Sequence, residues 1–473
     1  MSASDWIARH CTYPAYEWLR RRPTLRELRE LAALTPRSPD VVQADVQGRL
    51  RRLLQFAAQH LPYYAHSFAD HGVNPDGEDA LAELAKLPVL RKADVRAHAA
   101  GMVWRAVPGG LIPCRSGGTS GDTLAFFIDR VRQAQPMAAR LFMQGLLGVP
   151  VGARRAYLWG APLESRTTRL KRWRDRLINE LLLDAFEMSP VQIDAHLARL
   201  RSFRPRVIYG YPSAVALLAR QAAERYSPDD FAWLRLVVLT GEEIRPDHVA
   251  QIRSALGCPV VSEYGSREVG LIAHECSRGH LHIISPHVLV EVLNDGRPAA
   301  PGECGEIVCT TLNTRAQPLI RYALGDCGAL APGSCGCGLP LPLLHLAGGK
   351  VTGFIVLADG RLCHGAVTSH VLRDQPGIVE FKTYQRRTDA FEVLLVVDEH
   401  FQARTPALVR QRYRALFGDE VQVDCRIVDA IPPDPSGKRR YVVSDVAPEH
   451  HHFEVVTSAA SVNSGRAPCC TTH

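Results

Sequence analysis

The chain has 473 residues, a net charge of +7 and 46% hydrophobic residues, enough for two or three domains around a large core. The charge mildly favours anionic small molecules and is too weak to argue nucleic-acid binding. No run of 18 or more apolar residues occurs, which excludes a predicted membrane span.

The first residues, Met1 to Trp18, lack a positive leader followed by an apolar core, so no signal peptide is expected. Residues 41 to 64 place Val46, Leu50, Leu53, Leu54, Ala57 and Leu61 at a helical period, and Pro62 should end that helix. Residues 115 to 123 read Arg-Ser-Gly-Gly-Thr-Ser-Gly-Asp-Thr between the apolar runs Leu111-Ile112 and Leu124 to Ile128. That pattern predicts strand, tight loop, strand. Bare glycine amides and hydroxyl donors suit a polyphosphate, although a plain surface turn would read the same way. The spacing fails the Walker pattern and no Lys follows the last glycine. The basic run Arg166 to Arg176 reads as a solvated helix face, or as a docking surface for an acidic carrier or phosphates.

The middle of the chain alternates strand and helix. Strands are predicted at Arg206–Tyr209, Trp233–Leu239 and Pro259–Glu263, with helices over Ser213–Arg225 and Pro246–Leu256. This repetition predicts a parallel α/β sheet, with ligands beyond the carboxyl ends of its strands. After about residue 285 short strands and turns take over, at Val288–Leu293, Asp295-Gly296 and Gly305–Thr311. A compact final unit spans about Gly349 to Val446, with strands near Phe391–Val397 and Val421–Val428. Residues 447–473 are small and polar and read as a disordered tail, in which His450-His451-His452 could bind metal weakly.

Four separated segments line up in order. They are Arg115–Thr123; Thr240-Gly241-Glu242-Glu243 with Glu263-Tyr264-Gly265-Ser266-Arg267-Glu268; Pro318 to Asp326 (PLIRYALGD); and Pro435-Ser436-Gly437-Lys438-Arg439-Arg440. Together they resemble the adenylate-forming superfamily of acyl-CoA synthetases, luciferases and peptide-synthetase adenylation domains. Within it the chain is most similar to the phenylacetate-CoA ligase family, which includes relatives named for capsule biosynthesis or coenzyme F adenylation. Leu61-Pro62-Tyr63-Tyr64 and Leu87 to Val95 (LPVLRKADV) resemble that family too, and the likeness covers roughly residues 45 to 446.

The resemblance implies an α/β fold, with a large ATP- and acid-binding domain over 1–348 and a small mobile α+β lid over 349–446. It implies that ATP and Mg²⁺ activate a small carboxylic acid as an acyl-adenylate, pyrophosphate leaves, and the acyl group passes to coenzyme A. Ser116, Gly117, Gly118, Thr119, Ser120 and Gly121 would hold the β- and γ-phosphates, with Thr119 close to the chemistry. Gly241, Glu242 and Tyr264 would enclose the adenine, with Tyr264 supplying a stacking face; Glu243 and Gly265 would belong to the same nucleotide site, and Ser266 would lie near the α-phosphate. Glu268 would bind Mg²⁺, a hard cation suited to one carboxylate and phosphate oxygens. Asp326 would accept both ribose hydroxyls. Lys438 would neutralise charge where carboxylate oxygen attacks phosphorus. Trp159, Gly160, Tyr209, Tyr211 and Ser213 would line an acid pocket whose aromatic character allows an aryl or arylacetic acid.

One stretch departs from the family. Its domains are normally joined by Gly-Arg and one or two Asp, whereas this chain reads Gly348-Gly349-Lys350-Val351-Thr352-Gly353. Lys350 keeps the charge expected near the nucleotide but loses the planar fork of Arg. The acidic hinge is absent, which weakens the expectation of thioester formation more than that of adenylation.

A second constellation is metal-like. Cys276-Ser-Arg-Gly-His-Leu-His282 and Ser334-Cys335-Gly336-Cys337-Gly338 are two loops that could close a tetrahedral Zn²⁺ site. The expected ligands are Cys276, His282, Cys335 and Cys337, with His280 and Cys327 as reserves; four reduced residues without metal are the alternative. Thirteen scattered cysteines fit a reducing cytoplasm. A hydrolase elbow Gly-x-Ser-x-Gly between strand and helix is missing. Two other readings stay open: a ligase that passes its acyl group to an amine, hydroxyl or phosphopantetheinyl carrier protein, and a nucleotide-binding scaffold that has lost catalysis.

Overall fold

A computed structural model describes residues 3–115, 124–159, 174–185, 188, 190–242, 244–347, 354–357, 362–364, 368, 371–372, 375–431 and 442–446. Helix Pro39–His60 buries Val42, Val46, Leu50, Leu53, Leu54 and Ala57 along one stripe, as the period predicts. Leu61 is extended, as a residue before proline prefers, and Pro62 opens a second helix, Pro62–Asp70.

Strands β1 (Ile112–Arg115) and β2 (Ala125–Ile128) form an antiparallel pair, so the predicted strand–loop–strand is present around residues 116–123, which lie outside the described residues. A twelve-stranded sheet dominates the fold. Five of its strands are parallel neighbours: β3 (Arg155–Trp159), β4 (Glu180–Asp184), β5 (Val207–Gly210), β6 (Leu236–Thr240) and β7 (Val260–Ser266), in the order β4-β3-β5-β6-β7. All residues of β5 and β6 are buried, as in a sheet covered on both faces. Helices Pro212–Ala223 and Pro246–Leu256 contribute to one covering layer, the second with its predicted bounds.

The parallel sheet predicted for the middle of the chain is present in β5, β6 and β7, and antiparallel strands extend it. Beyond β7 the sheet continues antiparallel through β8 (Gly270–Glu275), β9 (Leu281–Ile283), β10 (Val288–Asn294), β11 (Arg297–Pro298), β12 (Gly305–Thr311), β13 (Tyr322–Ala331) and β14 (Leu343–Leu346). The spatial order is β7-β8-β9-β14-β13-β12-β10-β11. Short links such as residues 267–269 and 276–280 cannot make a crossover, so these strands return as hairpins.

The C-terminal residues carry their own core, with Phe381, Phe391, Val393, Leu395, Val409 and Tyr413 among its buried members. Here β17 (Ile378–Arg387) and β18 (Ala390–Val397) make a hairpin flanked in parallel by β19 (Gln422–Ile427) and β20 (Val442–Ser444). Two short strands, β15 (Phe354–Val356) and β16 (Leu362–His364), pair with each other. Helix Thr405–Phe417 links β18 to β19. Among the described residues no helix is long and apolar enough to cross a membrane.

Candidate functional site

The carboxyl ends of β3, β5, β6 and β7 lie side by side, which gathers Trp159, Tyr211 to Ser213, Gly241-Glu242 and Ser266 to Glu268 at one edge of the sheet. Trp159 and Tyr211 stack with centroids 4.2 Å apart. Gly241 makes room for that slab. Its φ is +82°, and a Cβ there would press on the Tyr211 ring at 3.0 Å. Burial, helped by Glu242, pushes the Tyr211 phenol up to about 12, so it stays a neutral hydrogen-bonding wall.

Glu242 is committed locally. Its carboxylate accepts the Ser213 backbone N–H and hydroxyl, each at 3.0 Å, and so sits on the N-terminus of helix Pro212–Ala223. Tyr209 also takes a different place from the one expected. It is buried, with its ring 5.6 Å from Trp159, and its hydroxyl donates to Glu263 at 2.9 Å. It supports the wall from behind. Glu263 is held in turn by a two-pronged contact from Arg140, at 2.7 and 2.8 Å.

Tyr264 and Asp326 meet across the sheet: the phenol donates to the Asp326 carboxylate at 2.8 Å. Burial first, and then Asp326, hold the Tyr264 hydroxyl well above its ordinary value, so it remains a donor. Asp326 reaches this place through a large bulge. Between the pairs Glu306–Cys327 and Val308–Ala323, residues 324–326 stand opposite Ile307 alone. Gly325, at φ +76°, supplies the turn.

Two N-terminal motifs brace that segment. The Tyr64 hydroxyl donates to the Pro318 carbonyl at 2.8 Å and accepts the Ile320 N–H at 3.2 Å. Leu90 pairs with Tyr322 through N–H bonds to and from Arg321 and Ala323. The Arg321 guanidinium donates to the carbonyls of Ala85 and Leu87 and pairs with Glu291.

Gly265 serves the hairpin, since a Cβ there would lie 2.3 Å from the Gly270 carbonyl oxygen. The Ser266 hydroxyl accepts the Val269 N–H at 3.1 Å and fixes the turn that presents Glu268. Beneath that turn lies Arg132, buried and missed by the sequence reading. Its guanidinium donates to the carbonyls of Arg267 and Glu268 at 3.3 and 3.2 Å. Burial lowers it to about 10 while leaving it cationic at neutral pH, opposed by the nearby Cys114, Asp129 and Glu268. A Cβ on Gly270 would strike this guanidinium at 2.6 Å, so glycine is needed there. The signal was available: helix Arg130–Leu146 carries Arg132 as the one charged residue of its buried side. Ser116 to Gly121, Gly160, Glu243, Lys350 and Lys438 lie outside the described residues.

The structure brings Cys276, His282, Cys335 and Cys337 together, with all four donor atoms within 4.8 Å of one another. His282 Nε2 is 3.0 Å from Cys335 Sγ and 3.3 Å from Cys337 Sγ, and Cys276 Sγ is 3.8 Å from Cys335 Sγ. That sulfur separation excludes a disulfide and suits two thiolates on one ion. His282 Nδ1 lies 3.1 Å from the Leu341 carbonyl, which assigns its proton there and leaves Nε2 facing the thiols. The cluster does not include the reserves His280 and Cys327. Strands β9 and β14 meet at His282–Leu343, so a metal here would clamp the β8–β9 loop to the β13–β14 loop.

A profile described as "AMP-binding enzyme" matches residues 184–314, and "CapK C-terminal domain" matches 355–445. A phenylacetate-coenzyme A ligase of Thermus thermophilus is 28% identical over 310 residues, 62% of this chain and 66% of that enzyme. One from Escherichia coli is 29% identical, covering 63% of this chain and 69% of its own length. By these matches the chain is similar to phenylacetate-CoA ligases and carries an AMP-binding enzyme domain. Protein CapK of Staphylococcus aureus is 21% identical to this ligase-like chain, over 77% of it and 81% of CapK. The fold of this chain matches that of a 2-hydroxyisobutyryl-CoA ligase in its postadenylation state. The TM-score is 0.66 at 20% identity, covering 85% of this chain and 89% of the other.

Proposed function

We propose that the protein activates a small carboxylic acid with ATP and passes the acyl group to a thiol, with coenzyme A as the acceptor. The observation that carries this reading is the Tyr264–Asp326 pair beside the Trp159–Tyr211 slab, at the carboxyl edge of a sheet typical of the family. An oxygen of the acid attacks the α-phosphorus of ATP, the bond to the β-phosphate breaks, and pyrophosphate leaves with the electron pair. A thiol sulfur then attacks the acyl carbon and AMP departs.

Asp326 is proposed to hold the ribose hydroxyls, oriented by Tyr264, whose ring also faces the adenine with Gly241. The 116–121 loop would receive the β- and γ-phosphates, with Thr119 nearest the reaction, and Lys438 would offset the charge that builds during attack. Glu268 offers one hard carboxylate on a fixed turn, which fits Mg²⁺ shared with phosphate oxygens. Magnesium, when bound, neutralises phosphate charge. Arg132 adds a buried positive charge under the same turn. The soft sulfur and imidazole donors fit Zn²⁺ in a closed structural site. Residues 1–348 are proposed as the catalytic body and 349–446 as a lid moving about residues 348–353. The described cysteines form no disulfide, and a reducing, cytoplasmic setting is proposed for the chain.

Tyr264→Phe should keep the adenine stack but loosen Asp326. Loss of one such hydrogen bond is worth about 0.5–1.5 kcal/mol, so the KM for ATP should rise roughly 3–10-fold with little change in KM for the acid. An unchanged KM for ATP would remove the pair from nucleotide binding. The acceptor is tested by following AMP release with an activated acid and coenzyme A, a phosphopantetheinyl carrier protein or an amine. Fast turnover only with coenzyme A is expected; preference for a carrier or an amine would reassign the second half-reaction.

A further inference from the structure

The first helical segment is inside out. Ala3–Ile7, a π-turn over Ala8–Thr12 and Tyr13–Leu19 follow one another without a break. Its inward side carries Asp5, Ala8, Tyr13 and Glu17, all buried, with Glu17 engaged by Arg22 and Thr24. The outward side carries Trp6, Ile7, Trp18 and Leu19, exposed at 54%, 48%, 81% and 72%. A helix that only covers a core shows the opposite arrangement. The π-turn contributes to this pattern. It takes up one extra residue, so Trp18 comes back to the side of Trp6 after about three full turns.

Leu177, also exposed, extends the strip, since the Thr12 hydroxyl donates to its carbonyl. The charge around the strip has a single sign. Arg9, Arg20, Arg21 and Arg176 are exposed, while the only acids between residues 3 and 22, Asp5 and Glu17, are buried.

We propose that this face docks onto an anionic lipid surface, holding the enzyme peripherally at a membrane interface. Indole and aliphatic side chains flanked by arginines are what the headgroup layer of such a surface accepts. A second copy of the chain fits less well. A two-fold contact would oppose arginines to arginines with no exposed acid on the strip to pair them. Four side chains on the helical segment, with Leu177 beside it, also fall short of the roughly 800 Å² per partner of a stable dimer. The proposal goes beyond the acid-activating chemistry and does not depend on it.

The test is flotation of the full-length protein with phosphatidylcholine vesicles, with and without phosphatidylglycerol. Binding is expected only to the anionic vesicles, with release at high salt and a blue shift of tryptophan emission. Trp18→Ser/Leu19→Ser should lower the partition coefficient by about tenfold or more, as expected when two apolar anchors are lost. Arg20→Glu/Arg21→Glu should weaken binding independently of the apolar strip. Both variants should retain the far-ultraviolet circular dichroism and ATP-binding of the parent. No binding to anionic vesicles, equal binding by both variants, or a solution dimer that Trp18→Ser/Leu19→Ser dissolves would overturn the proposal.

Discussion

Replacing two of the proposed zinc ligands, Cys335→Ser/Cys337→Ser, should abolish zinc binding and produce the largest loss of stability among the changes considered. In small domains structural zinc supplies about 10–16 kcal/mol of apparent folding energy. Here the four proposed ligands join two loops of a sheet that already has a buried core, so much of that energy should appear locally. The β13–β14 connection carries Cys335 and Cys337, and β13 carries Asp326. Without the clamp, that connection should become sensitive to proteolysis and the thermal midpoint should fall. Metal analysis of untagged protein ending at residue 446 should find about one zinc per chain, as four ligands on one tetrahedral ion require. The truncation removes His450-His451-His452, which could bind metal adventitiously. Parent protein without zinc, or full retention by the double variant, would rule out the site.

Lys438→Ala should cripple adenylation and leave the fold intact. The residue lies in a Pro- and Gly-bearing segment of the kind that forms loops rather than core. Removing one preorganised charge donor from a transition state costs on the order of 10²–10³ in rate. The comparison is kcat for acid-dependent pyrophosphate exchange in parent and variant, with circular dichroism as the check on folding. Exchange at the parental rate would take Lys438 out of the chemistry.

Local features were legible in the amino-acid order wherever a local rule governed them. Pro246–Leu256 and Gly305–Thr311 emerge with their predicted bounds because Pro and Gly punctuate them. The Cys/His quartet was legible because soft donors in tight loops have a limited repertoire. Long-range partnerships were not. Arg140 and Glu263 are 123 residues apart, and Tyr264 and Asp326 are 62 apart, so no period or spacing connects them. The short strands after residue 285 were visible, but their joining to the parallel strands through β8 and β9 is a register fact of the whole sheet. Likewise Leu61 to Tyr64 and Leu87 to Val95 were recognisable as motifs, while their task of bracing the Asp326 segment depends on contacts across more than 200 residues. The exposed Trp18 escaped notice because an apolar helical stripe predicts burial, and only the structure shows which side faces the core.

The most direct test of acid activation is ATP–pyrophosphate exchange by the purified full chain with magnesium and a panel of aryl, arylacetic and short aliphatic acids. Exchange should be absent without acid, appear with at least one member of the panel, and need no coenzyme A, because the adenylate forms first. Binding of ATP with no exchange for any acid would point to a nucleotide-binding scaffold, and neither binding nor exchange would contradict the adenylating function altogether.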